Sequence, residues 1–286
     1  SMKKKCFPWL LLLPQLFFGL LFLSGILLGL GWSFGLSPLR GGDGLTLRYY
    51  GEIFRRADTL PSILYSVKTS ALSALFSVLL GVLIAAFLIR SRWDRGIMLS
   101  VIKLPILVPH VITALFFINT ISQNGLLARL CFHFGWIQSQ GDFPLFVYDR
   151  FGIGVILAYL WKEAPFIAYF VLSLMAGVSR RLGEAAVNLG ATERRAFFEI
   201  ILPLCLPTIL SGFLIIFTFS LGAYELPALM GATVPKALPI LAYQEFQKDL
   251  SNRPIALSYN GILMGLSLLS ALIYRFLLMG GERREK

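Results

Sequence analysis

Long apolar runs separated by shorter polar segments make up most of the 286-residue sequence. A helix that crosses a bilayer needs about 20 mostly apolar residues. Six runs meet that length: residues 6–31, 64–89, 97–121, 151–178, 200–223 and 255–279. The pattern predicts an all-α, polytopic membrane protein with six transmembrane helices, in which residues 1–286 form one domain. The first run follows three lysines but is too long for a signal peptide, so we expect a retained signal anchor.

Three segments outside the runs have a recognisable pattern of their own. Residues 45–56 predict a short interfacial helix that holds Tyr49 and Tyr50 at the level of the lipid headgroups. Residues 226–239 contain several prolines and predict an irregular, re-entrant segment, which is tolerated at membrane depth only inside protein or beside a cavity. Residues 179–199 are polar, carry both charges and have a helical period.

The composition excludes several classes of protein. The chain is 57% hydrophobic and 14% charged, whereas an ordinary soluble domain is about 45–50% apolar and about 25% charged. A soluble domain, a disordered chain and a nucleic-acid-binding protein are therefore excluded, despite the net charge of +11. We expect membrane lipid to surround the chain and the basic residues to report its orientation.

The distribution of basic residues predicts that orientation. With the N-terminus in the cytoplasm, 14 of the 26 lysines and arginines fall on the inner side: Lys3, Lys4, Lys5, Arg90, Arg92, Arg95, Arg180, Arg181, Arg194, Arg195, Arg275, Arg283, Arg284 and Lys286. The outer side holds nine, over much longer loops: Arg40, Arg48, Arg55, Arg56, Arg129, Arg150, Lys236, Lys248 and Arg253. Since cytoplasmic loops carry an excess of Lys and Arg, both termini are predicted to be cytoplasmic.

The sequence contains few signs of catalytic chemistry. The three cysteines form no CxxC pair and no His/Cys cluster, so neither a disulfide framework nor a metal or redox site is indicated. No HExxH or Walker A (GxxxxGK[ST]) pattern occurs, and no GxSxG pattern lies within a run. We therefore expect no metal, no catalytic residue and no cofactor in this chain, which should not be an enzyme.

One specific motif lies between the fourth and fifth runs. Its defining residues are Glu184, Ala185, Ala186, Gly190, Ile200, Leu202 and Pro203. They match every defined position of the pattern EAA-x3-G-x9-I-x-LP. In this loop the chain resembles the permease subunits of type I ATP-binding-cassette importers.

The motif also has a physical interpretation. Four apolar residues with helical spacing form one face of a short helix: Leu182, Ala185, Ala186 and Leu189. A helix of about two turns is not stable alone in water, so this one needs a groove. Glu184 is expected near the helix start, where the dipole favours an anion, Gly190 in a left-handed C-terminal position and Thr192 as the next helix cap. A surface helix that only joins two spans is the alternative.

The resemblance implies a fold and a set of partners. It implies the type I importer permease fold, in which residues 179–203 form a coupling loop held by a cytoplasmic ATPase dimer that binds ATP and Mg²⁺. It also implies a second permease subunit, an extracytoplasmic solute-binding protein and a place in the bacterial cytoplasmic membrane. Looser similarity at 46–53, 103–109 and 224–231 favours the spermidine/putrescine or ferric-iron subgroup, in which the second permease is a different chain. Phosphonate or another small solute is an alternative cargo.

Charged residues inside the runs are candidates for the solute pathway. A charge at mid-bilayer costs about 2.5–3.5 kcal/mol, so each needs a reason. Lys162 and Glu163 are central in the fourth run, where a structural pairing and contact with solute are equally supported. Glu225 follows Tyr224 at the end of the fifth run, as either a solute contact or an ordinary interfacial carboxylate. A cationic solute would suit Glu163, Glu225 and nearby aromatic rings, whereas an anion would suit Lys162.

Other residues in the runs have structural interpretations. Lys68 and Lys103 lie near run ends and are expected to extend to the membrane surface. His110 and Asn119 are expected to make hydrogen bonds between helices. The rest are kinks at Pro105 and Pro109, a candidate break at Pro165, and lipid contact or packing for Tyr159, Trp161, Phe166 and Tyr169.

A secondary carrier driven by an ion gradient through Lys162 and Glu163 is the alternative from another class. Inverted repeats with paired broken helices would support it, and none is evident in the sequence. Co-purification distinguishes the two, because a permease should bring down an ATPase and a carrier should not.

Overall fold

The computed structural model describes residues 2–36, 44–91, 96–174 and 180–282, and within them it contains helices and no strand. The α-helices are α1 (Met2–Ser33), α2 (Arg48–Phe54), α3 (Thr59–Arg90), α4 (Ile97–Leu107), α5 (His110–Ile121), α6 (Leu126–His133), α7 (Ile153–Leu174), α8 (Arg180–Asn188), α9 (Glu193–Ala196), α10 (Leu202–Gly222), α11 (Glu225–Met230), α12 (Leu238–Lys248) and α13 (Arg253–Glu282). A π-helical turn, Phe197–Ile201, joins α9 to α10. The all-α prediction is confirmed.

Six helical stretches are long and apolar enough to cross a membrane, which agrees with the predicted number. They are Leu12–Ser33, Thr59–Ile89, His110–His133, Ile153–Ser173, Glu193–Gly222 and Leu250–Leu277. The fifth stretch begins inside the motif, because α9, the π-turn and α10 follow one another without a break.

The predicted bounds of the third span are wrong. Instead of one helix over 97–121, α4 ends at Leu107, Val108 is extended with ψ 127°, and α5 begins at His110. Pro109 explains the break, since a proline disfavours the helical conformation in the residue before it. The long apolar stretch is therefore His110–His133, and α4 is a separate helix of 11 residues.

The candidate break at Pro165 is also wrong. α7 runs from Ile153 to Leu174 with Pro165 inside it. A proline within a transmembrane helix is tolerated where neighbouring protein can satisfy the freed backbone groups. α7 is the most buried of the six apolar stretches, which fits this explanation.

The chain divides into two compact units, of which the first comprises residues 1–59 and 241–264. Its helix α2 confirms the predicted helix in a shorter form, and the interfacial position of that helix stays a prediction. Tyr49 is fully buried, however, and the Tyr50 hydroxyl lies 2.9 Å from Ser33 Oγ. Both tyrosines thus contact protein, and their level relative to the lipid headgroups stays a prediction. Near the end of α2, Arg56 Nη1 donates a 2.8 Å hydrogen bond to Glu245 Oε1.

The second unit comprises residues 60–240 and 265–286. One buried apolar cluster joins α3, α7, the π-turn and α10, and another joins α5, α7 and α11, so α7 belongs to both. The stretch between α11 and α12 is irregular, but residues 226–230 of the predicted irregular segment are helical in α11. The Ala232 N–H donates to Tyr65 Oη at 3.4 Å and the Leu238 N–H to Ser66 Oγ at 2.7 Å, whereas Val234 is 77% exposed, so only part of the stretch lies inside protein. The assignment of residues 1–286 to one domain stays a prediction.

Candidate functional site

The motif folds into a helical elbow, by which we mean residues 180–203. The chain leaves α8 at Gly190, whose φ of +97° is strained for any residue with a side chain. α9 then begins with Thr192 as its cap, and the Arg195 N–H donates a 3.2 Å hydrogen bond to Thr192 Oγ1. The predicted conformations of Gly190 and Thr192 are both confirmed.

The position predicted for Glu184 is wrong. α8 already includes Arg180, so Glu184 lies in the middle of the helix and not in its first turn. Arg180 and Arg181 continue the helix N-terminal to the motif, because arginine is a good helix former. The exposed Glu184 carboxylate therefore owes little to the helix dipole, which acts within the first turn.

One face of α8 packs on this chain and the other is open. Gly183 is buried, and a Cβ added there would lie 2.8 Å from Ile201 Cδ1. On the predicted apolar face, Leu182 is exposed and Leu189 has 90% of its surface exposed. Because a helix this short needs packing to be stable, Gly183 anchors α8 while an apolar stripe stays available for another molecule.

The second half of the motif connects the elbow to the membrane helices. Ile200 and Ile201 lie in the π-turn, but Ile201 is the buried one, in the cluster shared with α3, α7 and α10. Leu202 and Pro203 open α10. Pro203 has no N–H, which is harmless at a helix start but favours a wider turn just before it. The elbow is therefore linked to α10 through α9 and the π-turn.

A second group of polar residues lies among the apolar helices, and we call it the polar cluster: His110, Glu163, Glu225, Lys162 and Tyr159. Lys162 is buried on α7, and its ammonium group donates to three backbone carbonyls at the break between α4 and α5. The distances are 3.3 Å to Pro105 O, 3.1 Å to Ile106 O and 2.5 Å to Val108 O. Pro105 O also accepts the Val108 N–H at 3.3 Å, but Pro109 has no N–H with which to continue the helix, so Lys162 stabilises the break by supplying donors.

His110, at the first turn of α5, lies between two carboxylates. Its Nε2 is 3.7 Å from Glu163 Oε1 on α7, and its Nδ1 is 3.8 Å from Glu225 Oε2 at the start of α11. The Glu163 side chain is 14% exposed and that of Glu225 is 54% exposed. Two predicted pathway residues, Glu163 and Glu225, thus lie beside one imidazole. Tyr224, directly before Glu225, is the N-cap residue of α11.

Aromatic rings surround this contact. The His110 ring lies 5.1 Å from the Phe219 ring and 6.4 Å from the Tyr159 ring, centroid to centroid. Tyr159 is 2% exposed, so lipid contact was the wrong interpretation for it, and its hydroxyl has no hydrogen-bond partner among the residues that the structure describes. Trp161 packs against Phe116 at 5.7 Å, as the packing alternative predicted.

Comparison with known proteins decides the family. Residues 77–278 match the family described as binding-protein-dependent transport system inner membrane component. The chain belongs to this family. It is therefore the permease subunit of an ATP-binding-cassette importer, a multi-pass inner-membrane protein and not an enzyme.

Two relatives show how wide the family is. The putrescine transport system permease protein PotI of Escherichia coli (strain K12) is 28% identical over 247 residues, which are 85% of this chain and 82% of PotI. The molybdate/tungstate transport system permease protein WtpB of Pyrococcus abyssi (strain GE5 / Orsay) is 30% identical over 217 residues, 74% of this chain and 76% of WtpB. Their names refer to a cation and to anions, so relatedness alone leaves the solute of this permease open.

A solved structure supports the fold. The bacterial ABC transporter involved in the import of the acidic polysaccharide alginate contains a chain that matches with a TM-score of 0.78, covering 96% of both chains. The sequences are 20% identical, so the likeness bears on the fold alone. The predicted type I importer permease fold is confirmed.

Sequence reasoning did not identify His110, Tyr159 or Gly183 as parts of the site. His110 was expected to make hydrogen bonds between helices and Tyr159 to contact lipid or pack, because the sequence does not show which helices are neighbours. A usable signal was the histidine directly after Pro109, since a side chain at a helix break can face the bundle interior. Gly183 was missed because its close neighbour, Ile201, is distant in sequence.

Proposed function

We propose that this permease receives a small cationic solute of the polyamine type from an extracytoplasmic binding protein and that the elbow couples its passage to ATP hydrolysis by a partner. The observation that supports the coupling role is the open apolar stripe of α8. This helix packs against Ile201 at Gly183 and is connected to α10 through the turn at Gly190, α9 and the π-turn. A cytoplasmic ATPase dimer is the partner that would cover this stripe.

The coupling step follows from the geometry of the elbow. Closure of the ATPase dimer on ATP would displace α8, and the turn at Gly190 would keep α8 and α9 at a fixed angle. The π-turn would pass that displacement to α10 and through Ile201 to the cluster around α7. ATP and Mg²⁺ would be bound by the partner ATPase and not by this chain.

The orientation and the remaining partners belong to the same proposal. An elbow that meets a cytoplasmic ATPase lies on the inner side, which agrees with the excess of basic residues there and with cytoplasmic N- and C-termini. A second, different permease subunit would complete the pathway. The extracytoplasmic binding protein would deliver the solute at the opposite face, near the start of α11.

The polar cluster favours a cation over an anion. An ammonium group has three hydrogens, and all three of Lys162 have backbone carbonyl acceptors. Lys162 therefore has no donor left for an anionic solute. Glu163 and Glu225 offer carboxylate oxygens beside the rings of Phe219 and Tyr159, which suits a protonated amine.

Reconstitution with and without the ATPase tests the proposal. The permease should co-purify with an ATPase, and vesicles containing the complex and binding protein should take up labelled putrescine only with ATP inside. Molybdate of the same specific activity serves as the anion control. Purification of the chain alone, with uptake driven by an ion gradient, would favour the secondary carrier. Uptake of molybdate and not of putrescine would overturn the cationic solute.

A further inference from the structure

His110 is placed so that both of its ring nitrogens face a negative charge. Nε2 points to Glu163 on α7 and Nδ1 to Glu225 on α11, at 3.7 and 3.8 Å. A neutral imidazole carries one N–H, and its other nitrogen has a lone pair. In that state one of the two contacts would set a lone pair against a carboxylate. Both contacts are attractive only when His110, Glu163 and Glu225 together hold one additional proton.

The net charge of the groups around His110 also indicates one additional proton. The titratable groups that face it are Glu163, Lys162 and Tyr159 on α7 and Glu225 on α11. Two carboxylates and the Lys162 ammonium leave one negative charge if the imidazole is neutral. A net charge among membrane helices is costly, and one extra proton brings the cluster to zero. Imidazole is ordinarily more basic than a carboxylate, so that proton belongs on the ring.

The buried hydroxyl of Tyr159 is an independent sign that this place is built for a ligand. Among the described residues it has no hydrogen-bond partner, although Tyr159 is 2% exposed. A buried polar group without a partner is costly unless something pairs with it. Within the described residues no group of three His, Cys, Asp or Glu side chains converges as metal ligands do. A protonated nitrogen, which donates several hydrogen bonds, fits these acceptors better.

We infer that His110, Glu163 and Glu225 form a site for one positively charged nitrogen, which the His110 imidazolium fills in the empty permease and an ammonium group of the solute fills during transport. When the ammonium enters, the extra proton leaves His110 for water, and the net charge of the cluster is unchanged. Glu225, the more exposed carboxylate, meets the ammonium first. This inference rests on the proposed function for the cationic class of the solute.

The exchange has a structural consequence. The imidazolium links the start of α5 to α7 and to α11, directly beside the break that Lys162 holds. Loss of the proton removes the N–H donor at one end of that link, and the contact at the other end loses the positive charge of the ring. Arrival of solute thereby loosens α5 from its neighbours, whereas Lys162 keeps α4 in place.

Magnetic resonance of the two histidines in the chain tests this site directly. The permease, assembled with its partners in lipid nanodiscs and labelled with ¹⁵N-histidine, is measured near pH 7 with and without 1,4-diaminobutane. A His133→Gln variant assigns the signals, and in the parent His133 is the internal reference. We expect the imidazolium signal of His110 in the empty permease and its loss on adding the diamine. The uncharged 1,4-butanediol, of the same length, should leave it unchanged.

Two carboxylate variants provide the controls. Glu163→Gln and Glu225→Gln should each convert His110 to neutral imidazole without diamine, because each removes one of the two facing charges. A neutral His110 in the parent that neither substitution alters would overturn the inference. So would an imidazolium that persists at saturating diamine. Displacement of the proton without ATP-dependent uptake would contradict the proposed function while leaving the site in place, so the two failures are distinguishable.

Discussion

The elbow and the polar cluster handle their unusual side chains in opposite ways. In the elbow, Gly183 of α8 packs against Ile201 while the apolar stripe of α8 stays exposed, so that stripe is open to another molecule. The polar cluster places Lys162 and Glu163 among apolar helices, where they contact other groups of this chain, and only Glu225 is half exposed. Substitutions in the elbow should therefore change coupling with little effect on folding, whereas substitutions in the cluster should change stability as well.

The largest effect is expected at Gly190 in the elbow. Gly190→Pro should reduce ATP-dependent uptake to background, because proline fixes φ near −65° where the elbow needs +97°. Membrane insertion should be unchanged and the loss of thermal stability small, since an added Cβ would meet nothing within 4 Å and the hydrogen bond lost, from the Gly190 N–H to Val187 O, is local. Uptake into vesicles, compared with ATP hydrolysis by the same complex, measures the uncoupling.

Gly190→Asn is the matched control, because asparagine tolerates positive φ better than other residues. It should retain much of the uptake. Unchanged uptake in Gly190→Pro would contradict the coupling role, and equal losses in both variants would show that backbone conformation is not the cause.

The second largest effect is expected at Lys162 in the polar cluster. Lys162→Met should destabilise the permease by about 3 kcal/mol, because carbonyls at the helix break lose a charged donor and Glu163 and Glu225 lose a compensating charge. The free energy of unfolding in detergent measures this loss.

Lys103→Met is the comparison for Lys162, because the Lys103 ammonium lies over the Tyr169 ring at 4.2 Å. It should cost about 0.5–1 kcal/mol, as expected for an exposed cation–π contact. Equal losses for the two lysines would mean that the carbonyl contacts of Lys162 contribute nothing.

A smaller effect is expected where α8 packs on the π-turn. Gly183→Ala should lower uptake several-fold, because the new methyl group would displace Ile201 and shift the elbow. Ile201→Val removes the Cδ1 atom that the methyl group would meet, so the double variant should recover uptake. A double variant no better than Gly183→Ala alone would contradict this packing explanation.

The smallest effect is expected in a buried ion pair outside the apolar stretches. Burial alone would raise the pKa of the Glu245 carboxyl, but hydrogen bonds from Lys248 and Arg56 outweigh it and hold the pKa below its ordinary range. A lowered pKa in the folded state stabilises the protein above the ordinary value, and this contribution is lost as the pH falls through the lowered pKa. Glu245→Gln should therefore cost about 1 kcal/mol at pH 7, discounted for solvent screening.

Thermal unfolding as a function of pH measures the Glu245 contribution. The difference between Glu245→Gln and the parent should shrink as the carboxyl is protonated in acid. Glu52→Gln is the control, because its contact with Arg56 is longer, at 3.4 Å, and more exposed. A difference that stays constant between pH 7 and pH 3 would contradict the ion pair as its source.

The fold could be predicted from the sequence where the physical cause is local. Six apolar runs give six candidate spans because bilayer thickness fixes the length of a helix. The turn at Gly190 and the cap at Thr192 follow from conformational preferences of single residues. The break at Val108 was within reach, since Pro109 restricts it, but an apolar run hides a change of helix from hydropathy alone.

The candidate site could be predicted in its parts but not in its assembly. Glu163, Glu225 and Lys162 stood out as charges in apolar runs, which is a property of each residue alone. That Lys162 holds carbonyls of α4, and that His110 joins Glu163 to Glu225, depends on which helices are neighbours. Tyr159 could not be told from a lipid-facing aromatic for the same reason.

The sequence by itself determined the class of the protein, its span number and its family motif, because hydrophobic length, turn chemistry and the EAA pattern are written along the chain. Only the tertiary structure decided which face of α8 is open and which charges meet at His110. These properties depend on helix packing, which brings together residues as distant as His110 and Glu225. Local pattern fixes where helices form, whereas packing fixes what each side chain faces.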